Sequence, residues 1–238
     1  MKKRFLILLA ALLLAGCTQA VPAPGTEKTT PQTAVPETTA VQTQPPTETE
    51  PPRDVLREKL DAMTLEEKVG QMFLGRCRWE TGAEDIEAYH LGGFVLFGRD
   101  FDDQTPESLG ARLDSYQNAA NIPMLLAVDE EGGTVCRVSS HTAFREEKFP
   151  SPREAYASGG MEMVLAMEWE KGYLLHSLGL NVNLAPVCDI SQTPGAFLYN
   201  RSLGADPVTT GQFVEGTLER LAENGVGGVM KHFPGYGD

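Results

Sequence analysis

The sequence is poor in basic residues and has no closely spaced cysteines. Its 20 lysines and arginines are outnumbered by 33 aspartates and glutamates, and the formal net charge is −13. Because phosphate binding needs a basic surface, this balance argues against a nucleic-acid partner. Cys17, Cys77, Cys136 and Cys188 form no CxxC pair or Cys/His cluster, so no zinc site is predicted. The spacing leaves a Cys136–Cys188 disulfide open, although we favour small buried thiols.

No apolar run in the chain is long enough for a membrane span, which takes about 20 residues. The apolar run from Phe5 to Ala15 follows three basic residues and precedes small ones, which is typical of a secretory signal peptide. Its end, Leu-Ala-Gly-Cys, resembles the bacterial lipobox. We therefore predict a lipoprotein signal peptide over residues 1–17, with Cys17 as the lipidated residue; an ordinary cleaved signal with a chance cysteine is the alternative. A lipid anchor would hold the protein outside the cytoplasm, on the surface of the bacterial cell membrane.

Residues 18–52 lack aromatic side chains altogether and contain eight of the sixteen prolines. Such a segment cannot bury enough apolar area to offset its chain entropy. The sequence therefore predicts a disordered Pro/Thr-rich linker here, followed by a globular domain over residues 53–238.

Helical and strand patterns alternate along the globular part. Thr64 and Glu67 predict a capping box, Pro106 lies at a predicted first helical position, and Gly92–Gly93 is interpreted as a helix stop. Five apolar segments between the helices predict parallel strands, and the stretch after the third of them is interpreted as a glycine-rich turn.

Two architectures fit this alternation, an open doubly wound sheet and a (β/α)8 barrel. No GxGxxG motif follows the first strand, so the dinucleotide-binding form has no support. Polar residues instead follow several strands, namely Asp129, Asp189, Lys231 and His232, and a barrel gathers its active site at these ends. Since eight βα units typically take about 250 residues, the sequence predicts an incomplete (β/α)8 TIM-type barrel with about five units.

Four motifs occur in order in the globular part. Together they resemble the N-terminal barrel domain of glycoside hydrolase family 3, in its β-N-acetylhexosaminidase branch, whose members remove β-linked N-acetylglucosamine from cell-wall fragments. The resemblance runs from about Thr64 to the end. The motifs are LAVDEEGGTVCRV (126–138), LNVNLAPVCDI (180–190), NRSLGADP (200–207) and KHFPGYGD (231–238).

The resemblance implies a sugar-binding role for five residues and no metal or cofactor. A carboxylate accepts hydrogen bonds from sugar hydroxyls, while lysine and arginine donate them. Gly132 and Gly133 are expected to let the backbone approach the sugar ring, and Glu130 and Glu131 are interpreted as a solvated or structural pair. The implied sugar-binding residues are Asp129, Arg137, Arg201, Lys231 and His232.

Two positions depart from the family pattern. Tyr236 replaces the histidine usual in the last motif, and Cys136 stands where glutamine is more usual. The resemblance also implies that the nucleophilic aspartate and the acid/base histidine lie beyond Asp238, so that none of the catalytic groups is in this chain. We therefore expect the polypeptide as given to be an unstable and inactive fragment.

The favoured function is a retaining exo-glycosidase that releases terminal β-linked N-acetylglucosamine from cell-wall fragments or related glycans. A β-glucosidase or β-xylosidase of the same family is an alternative. A non-catalytic sugar-binding lipoprotein is an alternative of another class.

Overall fold

A parallel sheet whose strands are joined by helices forms the centre of the protein. A computed structural model describes residues 54–236. The predicted signal peptide with Cys17 and the predicted linker over residues 18–52 lie outside the described residues. Within residues 54–236, no helix combines the length and apolar character that crossing a membrane requires.

Helices and strands alternate as the sequence predicts. The helices are α1 (Val55–Ala62), α2 (Leu65–Gly70), α3 (Gly82–Tyr89), α4 (Pro106–Ala119), α5 (Pro152–Ser177) and α6 (Pro207–Glu223), with a 3-10 turn at Gly98–Phe101. The strands are β1 (Leu74–Arg76), β2 (Gly93–Leu96), β3 (Leu125–Val128), β4 (Glu130–Gly132), β5 (Val135–Cys136), β6 (Val182–Asn183) and β7 (Gly227–Gly228).

The main sheet has five strands in the order β1-β2-β3-β6-β7, and every pairing in it is parallel. Each crossover carries at least one helix, so the arrangement confirms the predicted α/β class and fits an incomplete barrel. The glycine-rich turn predicted after the third strand is present at Gly133–Thr134, where it joins β4 and β5 in a short antiparallel hairpin that the sequence did not predict.

Local signals set the helix starts. The Thr64 hydroxyl accepts a hydrogen bond from the Glu67 amide at 3.2 Å, and the Glu67 carboxylate accepts one from the Thr64 amide at 2.8 Å. This reciprocal pair is the predicted capping box of α2. Pro106 is the first residue of α4, as predicted.

The predicted helix stop at Gly92–Gly93 is wrong by a few residues. Helix α3 ends at Tyr89, and His90 adopts the left-handed conformation that closes it. A Cβ at Gly92 would collide with the backbone of Gln71, and a Cβ at Gly93 would collide with the Leu125 carbonyl. These glycines therefore serve close approach of neighbouring backbones where β2 begins, and not helix capping.

Two apolar clusters bury the helices against the sheet and against each other. The larger contains side chains from β2, β3 and α4, with Phe94, Leu126 and Leu113 each at most 1% exposed. The smaller lies between α5 and α6 around Phe213 and Val164. Burial of this kind contributes roughly 25 cal/mol per Å² of apolar surface.

An ion pair lies inside α5, where both partners are removed from water. The Lys171 ammonium is 2.7 Å from a Glu168 carboxylate oxygen, with the two side chains 0% and 2% exposed. The same ammonium donates a 2.7 Å hydrogen bond to the Glu131 carbonyl. The second Glu168 carboxylate oxygen is buried without a hydrogen-bond partner among the described residues. Lys171 thus joins the long helix to hairpin strand β4.

Removing only the lysine of this pair should destabilise the protein strongly. Lys171→Met leaves the Glu168 carboxylate buried and unpaired, and we expect a loss of about 3–5 kcal/mol in the free energy of unfolding. Lys171→Met combined with Glu168→Leu removes both charges and should recover much of that loss. Urea denaturation measures all three proteins.

The exposed α6 pair Arg220–Glu223, at 2.8 Å and the same sequence spacing, is the matched control. Arg220→Met should have little effect, since water screens an exposed pair. A Lys171→Met variant as stable as Arg220→Met would contradict the importance of the buried pair.

Candidate active site

Polar side chains meet at the carboxyl ends of the parallel strands. Asp129 directly follows β3, Asp189 lies six residues after β6, and Lys231 lies three residues after β7. Lys231 also bridges to Val187 in parallel register, which extends the pairing of these two chain segments beyond the strands. The sheet topology therefore brings these three residues, distant in sequence, to the same edge.

Lys231 lies between two carboxylates. Its ammonium is 2.6 Å from Asp129 Oδ1 and 2.6 Å from Glu131 Oε1. The side chains of Lys231 and Asp129 are 15% and 18% exposed, whereas that of Glu131 is 1% exposed. Asp129 and Glu131 are two residues apart on an extended segment, so both side chains point to the same side.

Arg201 binds the other side of the Glu131 carboxylate. Its Nε and Nη2 donate to the two carboxylate oxygens at 2.8 Å and 2.7 Å, which is the bidentate geometry that arginine favours. Burial alone would raise the pKa of the Glu131 carboxyl, but the hydrogen bonds and charges of Arg201 and Lys231 outweigh it and hold that pKa below its ordinary value. Glu131 is therefore ionised at neutral pH.

His232 forms a second acid–base pair beside this network. Its Nδ1 is 2.7 Å from Asp189 Oδ2, and its Nε2 is 3.5 Å from Arg201 Nη2. Burial raises the pKa of the Asp189 carboxyl, but hydrogen bonds from His232 and from the Tyr236 amide outweigh that effect and leave the pKa lowered. The network thus runs from Asp129 through Lys231, Glu131, Arg201 and His232 to Asp189.

Arg137 follows β5 and is held through its backbone. The amides of Arg137 and Val138 donate to Glu130 Oε2 at 2.8 Å and 2.7 Å, and the amide and hydroxyl of Ser139 donate to Glu130 Oε1. The Nε of Arg137 is buried and makes no hydrogen bond with the described residues. No hydrogen bond or ion pair within residues 54–236 joins the Arg137 side chain to the rest of the network.

An open hollow of about 650 Å³ borders the network. Asp189, Lys231 and His232 line it together with Phe233 and Ile190. A second hollow of about 490 Å³ lies beside residues that precede β2 and β3, at the amino ends of the strands. Since active sites of parallel α/β barrels form at the carboxyl ends, the first hollow is the candidate site.

The structure brings together Asp129, Arg201, Lys231 and His232 of the five predicted sugar-binding residues. Their binding roles stay predictions. Of the two alternatives kept for Glu130 and Glu131, a solvated or a structural pair, burial excludes the solvated one and agrees with the structural one. The alternation that separates Glu130 from Glu131 also places Glu131 with Asp129, and this signal in the sequence could have identified it.

The glycines after Glu131 have a structural use that was not predicted. A Cβ at Gly132 would collide with the Pro150 carbonyl, and a Cβ at Gly133 would collide with Ser151. Both glycines have positive φ angles, 100° and 64°. They let the hairpin turn tightly against the segment that begins α5, and the predicted approach to a sugar ring stays a prediction.

Comparison with known families agrees with the fold and the motif order. The model of the glycosyl hydrolase family 3 N-terminal domain matches residues 64–238. The chain belongs to glycoside hydrolase family 3. The matched residues include all four motifs on which the sequence resemblance rests.

The relatives include several proteins named β-hexosaminidases. The chain is 31% identical over 173 residues to β-hexosaminidase LpqI of Mycobacterium tuberculosis, which covers 72% of the chain and 43% of that relative. It is 31% identical over 162 residues to β-hexosaminidase A of Pseudoalteromonas piscicida, covering 66% and 27%. The solved structure of a family 3 β-N-acetylglucosaminidase from Paenibacillus sp. str. FPU-7 superposes with a TM-score of 0.64 at 30% identity, covering 74% of this chain and 34% of that one. The chain thus spans less than half the length of these curated relatives.

Replacing Glu131 by glutamine should destabilise the protein and flatten its response to acid. The ionised carboxylate offsets two cations, so we expect Glu131→Gln to lose about 2–3 kcal/mol at pH 6, below the usual figure for a fully buried pair because Arg201 and Lys231 keep some exposure. Because the pKa of Glu131 is lowered in the folded state, its contribution is full above the ordinary value of 4.5 and is lost as the pH falls through the folded value.

Urea denaturation between pH 6 and pH 3 measures both effects. The unmodified protein should lose stability more steeply below pH 4.5 than Glu131→Gln does. Parallel curves for the two proteins would contradict an ionised Glu131 in the folded state.

Proposed function

We propose that the network at the strand ends is the sugar-binding part of a β-N-acetylhexosaminidase active site. The observation that carries the proposal is the position of Lys231 between Asp129 and Glu131, beside Arg201 and His232 and next to an open hollow. Lys231 and Arg201 offer hydrogen-bond donors, and the Asp129 carboxylate beside them offers acceptors.

The hydroxyl groups of a sugar ring can bind both the donors and the acceptors of this network. Each hydroxyl both donates and accepts a hydrogen bond. The Lys231 ammonium donates a hydrogen bond to Asp129 and forms an ion pair with Glu131, and an ammonium can donate three hydrogen bonds in all. Asp129 Oδ1 binds Lys231, while Asp129 Oδ2 accepts no hydrogen bond from the described residues and is free to accept one from a hydroxyl. The unpaired Nε of Arg137 is a further buried donor that an oxygen-rich ligand would satisfy.

The names of the relatives favour N-acetylglucosamine over other sugars. The Mycobacterium tuberculosis and Pseudoalteromonas piscicida relatives are named β-hexosaminidases, and the Paenibacillus structure is titled a β-N-acetylglucosaminidase. We propose release of terminal β-linked N-acetylglucosamine from cell-wall fragments as the reaction. A β-glucosidase or β-xylosidase specificity would instead favour sugars without the acetamido group.

Retention of configuration belongs to the same proposal. It needs a nucleophile and an acid/base group on opposite sides of the scissile bond. Asp129, Glu131 and Asp189 are each engaged by Lys231, Arg201 or His232. This pairing supports binding and positioning roles for the three carboxylates, with the nucleophile supplied from elsewhere in the family barrel.

Asp129→Asn should weaken sugar binding. The variant keeps the shape of the side chain but removes an ionised acceptor, so we expect the dissociation constant for N-acetylglucosamine to rise at least about tenfold. Titration of the chain with N-acetylglucosamine, glucose and xylose, followed by NMR, measures it. Asp61→Asn, in the exposed Arg57–Asp61 pair of α1, is the control and should bind as the unmodified chain does.

Turnover is tested in a chimaera in which residues 64–236 replace the matching segment of the Mycobacterium tuberculosis relative. An aryl β-N-acetylglucosaminide should be hydrolysed, and Asp129→Asn should lower kcat/KM in the chimaera. Equal dissociation constants of the Asp129→Asn and Asp61→Asn chains for N-acetylglucosamine would contradict the proposed sugar-binding site. Tighter binding of glucose or xylose would move the proposal to the other specificities, and sugar binding with no turnover in a folded chimaera would favour a binding protein.

We also propose a lipid-anchored, extracytoplasmic location. The proposal rests on the basic, apolar and small-residue order of residues 1–17, which end at Cys17. In a bacterial host grown with radioactive palmitate, the chain should be labelled and recovered with membranes. Cys17→Ser should abolish the label, whereas Cys77→Ser should keep it. Label that persists in Cys17→Ser would contradict lipidation at this cysteine.

A further inference from the structure

Asp189 holds the segment that carries His232 at three points. Asp189 Oδ2 accepts hydrogen bonds from the His232 amide at 3.0 Å and from the His232 ring at 2.7 Å, and Oδ1 accepts one from the Tyr236 amide at 2.8 Å. The Asp189 side chain is 6% exposed and that of His232 is 28% exposed. A carboxylate that binds both the backbone and the ring fixes the position of the ring and its rotation.

The same contacts decide which ring nitrogen of His232 carries the proton. An ionised carboxylate only accepts hydrogen bonds, so the ring nitrogen that faces it, Nδ1, must donate. The opposite nitrogen, Nε2, faces the cationic Arg201 guanidinium at 3.5 Å, which is a donor. A proton on Nε2 would place two donors against each other. Of the two neutral tautomers, both neighbours therefore favour the one with Nδ1 protonated and Nε2 as an acceptor.

The other groups around His232 agree with this assignment. The Tyr236 ring packs edge-on against the imidazole at 5.6 Å between ring centroids. The Lys231 ammonium, on the adjacent residue, is directed to Asp129 and Glu131. Glu131 also engages the Arg201 guanidinium that faces Nε2. The charges around His232 are thus paired, and within residues 54–236 Asp189 is the one carboxylate bonded to the imidazole.

We propose that Asp189 is a positioning residue that keeps the His232 proton on Nδ1, so that Nε2 is presented to the substrate hollow as a hydrogen-bond acceptor for a sugar hydroxyl. The binding of a sugar hydroxyl by Nε2 rests on the proposed function, whereas the position of the His232 proton concerns the unliganded protein alone. Lysine and arginine in the network can only donate. The neutral His232 ring therefore adds an uncharged acceptor beside the Asp129 carboxylate, whose Oδ2 accepts no hydrogen bond from the part of the chain that the structure describes.

Long-range 1H–15N NMR spectra of the chain labelled at histidine test the protonation state directly. The four histidines are distinguished by the signals that disappear in His232→Gln. At a pH where the ring is neutral, His232 should show the pattern with the proton on Nδ1. A pattern with the proton on Nε2 in the unmodified chain would overturn the proposal, and this result needs no variant to fold.

Asp189→Asn tests the cause. An amide cannot accept at both former oxygen positions, so we expect His232 to populate the Nε2-protonated form and the dissociation constant for N-acetylglucosamine to rise about tenfold. Asp102→Asn is the matched control, because Asp102 binds a different histidine, His141, at 3.1 Å. It should alter the signals of His141 and leave those of His232 and the sugar affinity unchanged.

The two readouts separate the positioning role from the proposed function. If Asp189→Asn leaves the His232 pattern unchanged, Asp189 does not set the proton. If the unmodified chain shows the Nδ1 pattern but binds no sugar, the positioning role stands and the sugar-binding proposal fails. If the pattern shifts in Asp189→Asn while sugar affinity stays the same, Nε2 is not the acceptor for a hydroxyl.

Discussion

The carboxylate of Glu131 is the contact on which the candidate site depends. It is almost completely buried, and it binds both Arg201 and Lys231. A buried carboxylate without a cation would be costly, and so would either cation without the carboxylate. The three groups come from β4, from the loop before α6 and from the segment after β7. One charge therefore fixes the relative positions of three segments that are distant in the chain.

The hairpin that carries Glu131 is itself held from several directions. Glu130 points the other way and binds backbone amides of residues 137–139, while the buried Lys171 ammonium binds the Glu131 carbonyl. Asn183 Nδ2 on β6 donates to the Glu130 carbonyl at 3.1 Å. A site made of charged hydrogen bonds needs such support, because errors of about 1 Å in position weaken each bond. The two adjacent glutamates thus bind different groups. Glu130 binds the backbone amides of residues 137–139, and Glu131 binds the cationic side chains of Arg201 and Lys231.

The sequence predicted the features that follow from chain-local rules. Strand and helix order, the Thr64–Glu67 capping box and the strand-end positions of Asp129 and Lys231 depend on neighbours in sequence, and all were recognised. The close approaches that Gly92, Gly93, Gly132 and Gly133 permit involve residues distant in the chain, so these contacts could not be inferred from local turn preferences. The partners of Glu131 could not be predicted for a similar reason, because Arg201 and Lys231 lie 70 and 100 residues further along the chain. Pairings at that distance follow from the order of the strands in the parallel sheet, not from spacing in the sequence.

The departures from the family pattern fall where the backbone makes the essential contact. At position 236 the group that binds Asp189 is the amide, which a histidine or a tyrosine supplies equally. The tyrosine ring adds contacts with His232 and with Phe197, at 5.6 Å and 5.1 Å between ring centroids. Cys136 is buried, its thiol lies near the carbonyls of Gly133 and Phe149, and burial raises the pKa of that thiol. A thiol held neutral in this way is a packing group. Neither substitution removes a charge from the network, and this explains how the network persists despite both.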